Sequence, residues 1–530
     1  MVTRIITGKA ALPGSRGAGT AAKRVRKAAR RAAGTVRDGV GAAVGAVSGA
    51  VAGERMSKVD TAWLRMDGAS NLMMIVGVWV LKPGIRREDL CQRITERLLQ
   101  YPRFRQRVEH DAAGASWVED AGFAIDHHVV TETLARKPRG REQEALQDRL
   151  AELAMTPLDM RRPLWQFHLV EDYQGGSAMM VRIHHCIADG IALIAVTQSL
   201  VDGGAPPPAP APASSHGAGD GHDVQDWIAE TFIRPFTGLA VKAIGSAGEG
   251  VAGAFDLLAE PQKGVEKGMA GGAEVARLAY QLMRDASALA LMPDDSPTRL
   301  KGTPGNHKRV AWCEPIPLNE VRAVGKALNC SINDVLLSCV AGAIGAYLRA
   351  KGDKVQGKEI RAMVPVNLRP LDEAYKLGNR FGLAPVVLPI GLENPVERVY
   401  EVRRRMRELK GSLQPLLAFG LLAVAGLLIK PAQDALLNLF SRKTTAVMTN
   451  VPGPREKLRF LGSTLEQSLF WVPQSGSVGL GVSILSYGGG VQFGVITDTQ
   501  LCSDPQNIIN GFEPEFAKLS LLTLMLPWNE

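Results

Sequence analysis

Aromatic residues are scarce in this chain, 5% of 530 residues, and there are nine histidines. The six cysteines (Cys91, Cys186, Cys313, Cys330, Cys339 and Cys502) are dispersed with no Cys-x-x-Cys spacing. That pattern argues against a disulfide framework or zinc ribbon and fits reduced thiols. Neither a P-loop nor a dinucleotide-binding glycine fingerprint occurs, so no resident nucleotide cofactor is expected. No clean apolar run reaches the roughly 20 residues that a membrane-spanning helix needs. The most hydrophobic stretch, Leu413 to Ile429, is interrupted at its start by Gln414 and Pro415, and a buried or interfacial helix is expected there. The N-terminus lacks the uninterrupted apolar segment of a secretory signal.

What is present is ample apolar material. With 46% hydrophobic residues, 530 residues exceed one ordinary domain and can fill two substantial cores. The net charge of +9 sits in one place: residues 1–55 hold eleven Lys or Arg against Asp38 and Glu54, which leaves 51 bases and 51 acids in the remainder. Lys23, Arg24, Arg26, Lys27, Arg30 and Arg31 form a cluster suited to anionic lipid headgroups. Nucleic acid is the disfavoured partner, because the tail has no aromatic residue to stack on bases. Gly41, Gly45, Gly49 and Gly53 then recur every four residues, like a glycine zipper. Further on, Gly203 to Pro212 is Pro/Ala-rich and reads as an extended linker. It is followed by helical patterns such as Val224, Trp227, Ile228, Phe232 and Val275, Leu278, Ala279, Leu282, suited to a lid, a membrane contact or simple packing.

Chemistry enters at Arg182-Ile183-His184-His185-Cys186-Ile187-Ala188-Asp189-Gly190. Trp165 to Val170 and Ala178 to His184 are β-rich, with Gln174-Gly175-Gly176 as the hairpin turn, and Ile191, Leu193, Ile194, Val196 and Leu200 follow at helical spacing. If strand alternation runs through both histidines they face opposite ways, and His185 shares a face with Val181 and Ile183. An imidazole titrates near neutrality and can take a proton from an attacking hydroxyl, which makes His185 the candidate base. His184 is expected to pack. Asp189 could orient the base, but a carboxylate at a strand-to-helix corner more often caps a helix or pairs with an Arg. A Cys186–His nucleophile is disfavoured because strand neighbours face apart. A metal triad is disfavoured because adjacent histidines chelate poorly from a strand.

This motif and its surroundings resemble the bacterial wax ester synthase/acyl-CoA:diacylglycerol acyltransferase family, within the chloramphenicol acetyltransferase-like HHxxxDG acyltransferases. The resemblance runs from about Met56 to the C-terminus. It includes Met56 to Trp63, Pro157-Leu158-Asp159 with Arg162 to Trp165, Ser331 to Val335, Val364 to Arg369, Gly378 to Gly382, Thr449 to Pro454 and Ser486 to Gly489. Each block has a plainer reading: Asn333-Asp334 could begin a helix, Asn450 to Pro454 is turn-forming, Tyr487 to Gly490 suits a hairpin loop, and Trp165 suits a core.

The resemblance implies an α/β fold of two chloramphenicol acetyltransferase-like subdomains, mixed sheets flanked by helices, with the reaction channel between them. The expected divisions are a basic tail (1–55), a first subdomain (56–202), a linker and helical crossover (203–307) and a second subdomain (308–530). It further implies that His185 is the proton acceptor, that His184 and Asp189 hold the motif, that Gly190 keeps the channel clear and that Asn333 assists. Acyl-CoA would be a substrate rather than a cofactor, with diacylglycerol or a long-chain alcohol as acceptor. The expected location is cytoplasmic, peripheral to the inner membrane face or lipid droplets. The alternatives are an amide-forming condensation-type acyltransferase and a noncatalytic lipid-surface protein.

Overall fold

The computed structural model describes residues 53–525 apart from 112–113, 139, 206–283, 286–291, 370–375, 411, 413 and 426–429. The account below concerns the compact unit Arg55–Glu530. The basic cluster, the glycine-zipper residues up to Gly49 and the helical patterns expected within the crossover lie outside the described residues.

The motif strand belongs to a hairpin. Trp165–Tyr173 and Gly176–His184 pair antiparallel, joined through Gln174 and Gly175, both at positive φ (52° and 75°). Such a turn matches the right-handed twist of the strands it joins. Met74–Lys82 lies on the other side of the motif strand, followed by Ser463–Trp471 and Arg459–Phe460, while Val129–Thr131 adds in parallel at the far edge. Two strands from late in the sequence thus complete the first sheet. Its alternation separates two apolar faces. Met74, Val76, Val78 and Val80 pack with Leu146, Leu150, Trp312 and Trp471. Trp79, Leu81, Met179 and Ile183 pack with Trp165, Phe167 and Leu169.

The second sheet is mixed. In order it runs Phe381–Leu388, Ile360–Asn367, Ala446–Pro452, Leu480–Tyr487, Gly490–Asp498 and Lys308–Trp312, and Ile316–Pro317 also pairs with Gly490–Asp498. The Leu480–Tyr487 and Gly490–Asp498 hairpin turns through Gly488 and Gly489, both at positive φ. Asn450 to Pro454 departs from the turn reading. Residues up to Pro452 form a strand in parallel register with Leu480–Tyr487, and proline is tolerated because it closes the strand.

Ile332–Ala350 is the central helix of this half, begun by a capping box in which Ser331 and Asp334 each satisfy the other's backbone N–H. It is the one described helix long and apolar enough to cross a membrane, yet 78% of the relevant window is buried. Its side chains Val335, Leu336, Val340 and Ile344 are core. The hydrophobic run near Leu413 forms the helix Gln414–Ala425, with Pro415 in its first turn, where a missing N–H costs nothing. It lies so close to the strand Phe381–Leu388 that a Cβ on Gly382 would overlap the Pro415 carbonyl.

Candidate functional site

His184 is the last residue of its strand and pairs with Met74. His185 therefore stands in the turn beyond the strand, tied to it by His185 N donating to Met73 O at 2.7 Å. The two rings diverge. His184 Nδ1 accepts from Cys186 N (3.2 Å), so the proton is on Nε2, which lies 3.4 Å from Asp67 Oδ1. Asp67 in turn accepts from Met73 N. His184 thus braces the turn.

The His185 ring stacks on Trp63 (centroids 4.3 Å apart, 12° between planes) and leans on Phe381 at 5.4 Å. It is 3% exposed. Nδ1 is buried without a well-formed hydrogen bond among the described residues, which leaves Nε2 as the nitrogen available to the cavity that His185 lines. Burial drives this imidazole down to about 4, with the charge of Asp189 and the Asn379 amide among the influences opposing it. At neutral pH the ring is uncharged and able to accept a proton.

The sequence places Trp63 by a simple device. Ser57 caps the helix Lys58–Arg65, accepting from Asp60 N, and Asp60 and Trp63, one turn apart, lie on one face. Asp60 Oδ1 accepts from Asn379 N (3.0 Å) and Nδ2 (2.8 Å), and Asn379 Nδ2 also donates to His185 O at 2.7 Å. Gly378, at φ 104°, bridges to Ala188.

Asp189 makes no hydrogen bond to the His185 ring among the described residues. Its Oδ1 caps the helix Gly190–Leu200 through Ala192 N (2.9 Å). Its Oδ2 accepts from Arg369 Nη2 and Arg380 N, each at 2.9 Å, in a buried ion pair. The carboxylate therefore knots the motif turn to the second half of the chain. Cys186 is fully buried, which holds its thiol well above the usual range and leaves no thiolate for nucleophilic attack.

The cavity beside His185 has a volume of about 70 Å³, several times the roughly 10–15 Å³ that one water needs. Its walls come from both sheets: Pro365, Asn367, Thr449 and Asn450 from the second and Phe470 from the first. Gly190 also lines it, and a Cβ there would meet nothing within 4 Å. Gly190, Ile194, Val451, Phe470 and Val472 are shared with an apolar tunnel of about 150 Å³ running past Ile75, Trp79, Phe167, Met179 and Leu465. A third space of about 100 Å³, lined by Trp63, Met66, Leu383, Leu422 and Phe440, lies against the tryptophan that stacks on His185.

Asn333 is not a wall of the His185 cavity. Its Oδ1 accepts from Asn450 Nδ2 at 3.1 Å, and Asn450 is the wall. Residue-by-residue reading of the sequence assigned no role to Asp60, Trp63, Arg369, Asn379 or Asn450. All five nonetheless stand inside the blocks that carried the resemblance, and their polar or aromatic side chains were the available signal.

Two mixed sheets meeting over a buried imidazole, with greasy space on either side, form a chloramphenicol acetyltransferase-like fold. The wax ester synthase/diacylglycerol acyltransferase catalytic domain matches residues 56–336, and the C-terminal domain of the same family matches residues 377–520. The chain belongs to that family. A probable diacylglycerol O-acyltransferase of Mycobacterium tuberculosis is 27% identical over 445 residues, covering 82% of this chain and 89% of the relative. Another putative diacylglycerol O-acyltransferase of that species is 29% identical over 372 residues, 66% of each chain. In fold, the chain is similar to the wax ester synthase/diacylglycerol acyltransferase of Marinobacter aquaeolei VT8 (TM-score 0.59, 20% identity, 89% of this chain and 100% of that one). It is also similar to the first condensation domain of the calcium-dependent antibiotic synthetase (TM-score 0.50, 15% identity, 90% and 97%).

Proposed function

We propose that this enzyme moves a fatty acyl group from acyl-CoA to the hydroxyl of diacylglycerol, of a long-chain alcohol, or of both, with His185 as general base. The observation that carries the reading is the uncharged His185 ring on the wall of a cavity that adjoins an apolar tunnel. A chain in such a tunnel gains roughly 0.8 kcal/mol per buried methylene, and the second apolar space beyond Trp63 suits a second chain.

The acceptor hydroxyl gives its proton to Nε2 as its oxygen attacks the thioester carbon. The tetrahedral intermediate collapses by breaking the carbon–sulfur bond, and the imidazolium returns the proton to the departing CoA thiolate. No acyl-enzyme forms. Burial makes His185 a weak base, so activation of the alcohol is the demanding step, whereas the thiol of a thioester leaves readily. The Asp189 charge favours the imidazolium as it forms. Asn450 spends one amide N–H on Asn333, and its second is the donor we assign to the oxyanion. Asn333 then acts as a positioning residue. The N-terminal basic cluster would draw the enzyme to an anionic membrane or lipid-droplet surface on the cytoplasmic side.

The test is product identification. Purified full-length protein is given labelled palmitoyl-CoA with diacylglycerol, hexadecanol or a long-chain amine in parallel. Labelled triacylglycerol or wax ester is expected. Exclusive amide formation, or no transfer to any of the three, would overturn the reading.

A further inference from the structure

A fourth recess, polar where those three are apolar, opens at the first turn of the central helix. Its volume is about 470 Å³, and its walls include Lys326, Arg403, Arg407 and Lys410. Three of these cations recur at spacings of four and three residues along the helix Pro395–Lys410 and so share one face. Lys326 comes from the last turn of the helix Leu318–Ala327. Between them runs the turn through Asn329, at φ 50°, into the capping box of the central helix.

The charges in this recess are uncompensated. Elsewhere on the same helix Arg404 and Arg405 are matched with Glu401, Glu408 and Glu359. Among the described residues, none of Lys326, Arg403, Arg407 and Lys410 has a carboxylate within the 4.0 Å of an ion pair, and Arg403 interacts with Cys330. The one carboxylate in the walls is Asp334, whose Oδ2 is turned onto Ser331 N at 2.9 Å. Four like charges converging around a single carboxylate raise one another's energy, and a polyanion relieves this. Arginine forks also match phosphate oxygens in pairs.

The recess is also close to the reaction cavity. Its walls include Ser331 and Asp334; Asn333, from the same helical turn, reaches Asn450, which faces His185. We propose that Lys326, Arg403, Arg407 and Lys410 hold the phosphates of the acyl donor's nucleotide end, with the pantetheine arm passing the first turn of the central helix to bring the thioester to His185. This assignment rests on acyl-CoA being the donor. The recess supplies charge for the hydrophilic end of that molecule, as the tunnel supplies apolar surface for its acyl end.

The test uses full-length Arg403→Ala/Arg407→Ala and the charge-keeping Arg403→Lys/Arg407→Lys. Calorimetry with adenosine 3′,5′-bisphosphate reads the recess without any turnover. Binding by the wild type, weakened about tenfold or more in the alanine variant and largely restored in the lysine variant, is expected. The KM for palmitoyl-CoA should rise by a similar factor while the KM for S-palmitoyl-N-acetylcysteamine, a thioester without phosphates, stays unchanged. Equal nucleotide binding by wild type and alanine variant, or none by the wild type, would overturn the proposal. So would intact nucleotide binding with lost binding to phosphatidylglycerol vesicles, which would make the recess a lipid-headgroup site. Failure of the wild type to transfer from either thioester, with nucleotide binding intact, would overturn the acyl-donor assignment together with the acyl-transfer reading and leave standing only that the recess holds nucleotide phosphates.

Discussion

The surroundings of His185 and those of the central helix Ile332–Ala350 are both built from buried apolar residues, yet one encloses a cavity and the other, beyond its first turn, is closely packed. Glycine shows the difference. On the central helix, a Cβ at Gly342 would come within 2.3 Å of Glu515 Oε2, and one at Gly345 equally close to the Ile390 carbonyl. At Gly190 a Cβ would meet nothing within 4 Å. The first two glycines let elements touch, whereas the third keeps them apart. Polar groups divide less sharply, since Ser338 Oγ on the central helix is also buried without a partner among the described residues. Arg398 and Glu515 form a buried pair, and Arg398 also donates to the carbonyls of Ser338 and Leu392. His185 Nε2 faces a cavity and His185 Nδ1 is left without a well-formed partner. A close-packed region supports one that holds open space beside an imidazole, and the second is where substrate is expected.

That contrast can be broken from either side. Arg398→Ala should have the largest effect, lowering stability by about 3–5 kcal/mol by removing the buried partner of Glu515, which keeps only the more exposed Lys518; denaturant melts would read it, and a loss under 1 kcal/mol would mean that the packed half is looser than described. Gly190→Leu should do the reverse, leaving the melting temperature within a few degrees while cutting turnover about a hundredfold by filling the reaction cavity. A stable, fully active Gly190→Leu enzyme would place the substrate elsewhere. Asn333→Ala should be milder, about a tenfold loss in kcat with KM little changed, because it acts through Asn450. A rise in KM alone would make it a binding residue.

The smallest effect is on pH dependence. Free imidazole titrates near 6.5, and burial holds His185 at about 4 and lowers His128 and His168 as well. The unfolded chain therefore binds protons that the native protein refuses, so stability is present above about 6.5 and is lost as pH falls toward 4. Activity should stay level from pH 8 to below 6, in step with the fraction folded. An acidic limb in kcat/KM centred near 6.5 in fully folded protein would show that His185 is not held low.

Local patterns made much of this legible in the sequence. The hairpin before the motif, the helix after Gly190, the helix at Asn333-Asp334 and the Tyr487 to Gly490 loop all follow from turn residues and apolar period, and they match the structure within a residue or two. The strand at Thr449 to Pro452 did not, because its partner, Leu480–Tyr487, lies some thirty residues away in sequence and pairing overrides turn propensity. The knot around the base was hidden for the same reason. Asp60 meets Asn379 across 319 positions, and Asp189 meets Arg369 across 180; no periodicity reports a contact that only folding creates. The basic recess likewise needs two helices to converge.

The central claim is that the imidazole of His185 takes the acceptor's proton. Turnover of palmitoyl-CoA with hexadecanol by His185→Ala, in protein whose near-UV spectrum and melting temperature match the wild type, tests it most directly. The account predicts a loss of about a thousandfold or more in kcat. Turnover within a few-fold of wild type would contradict it.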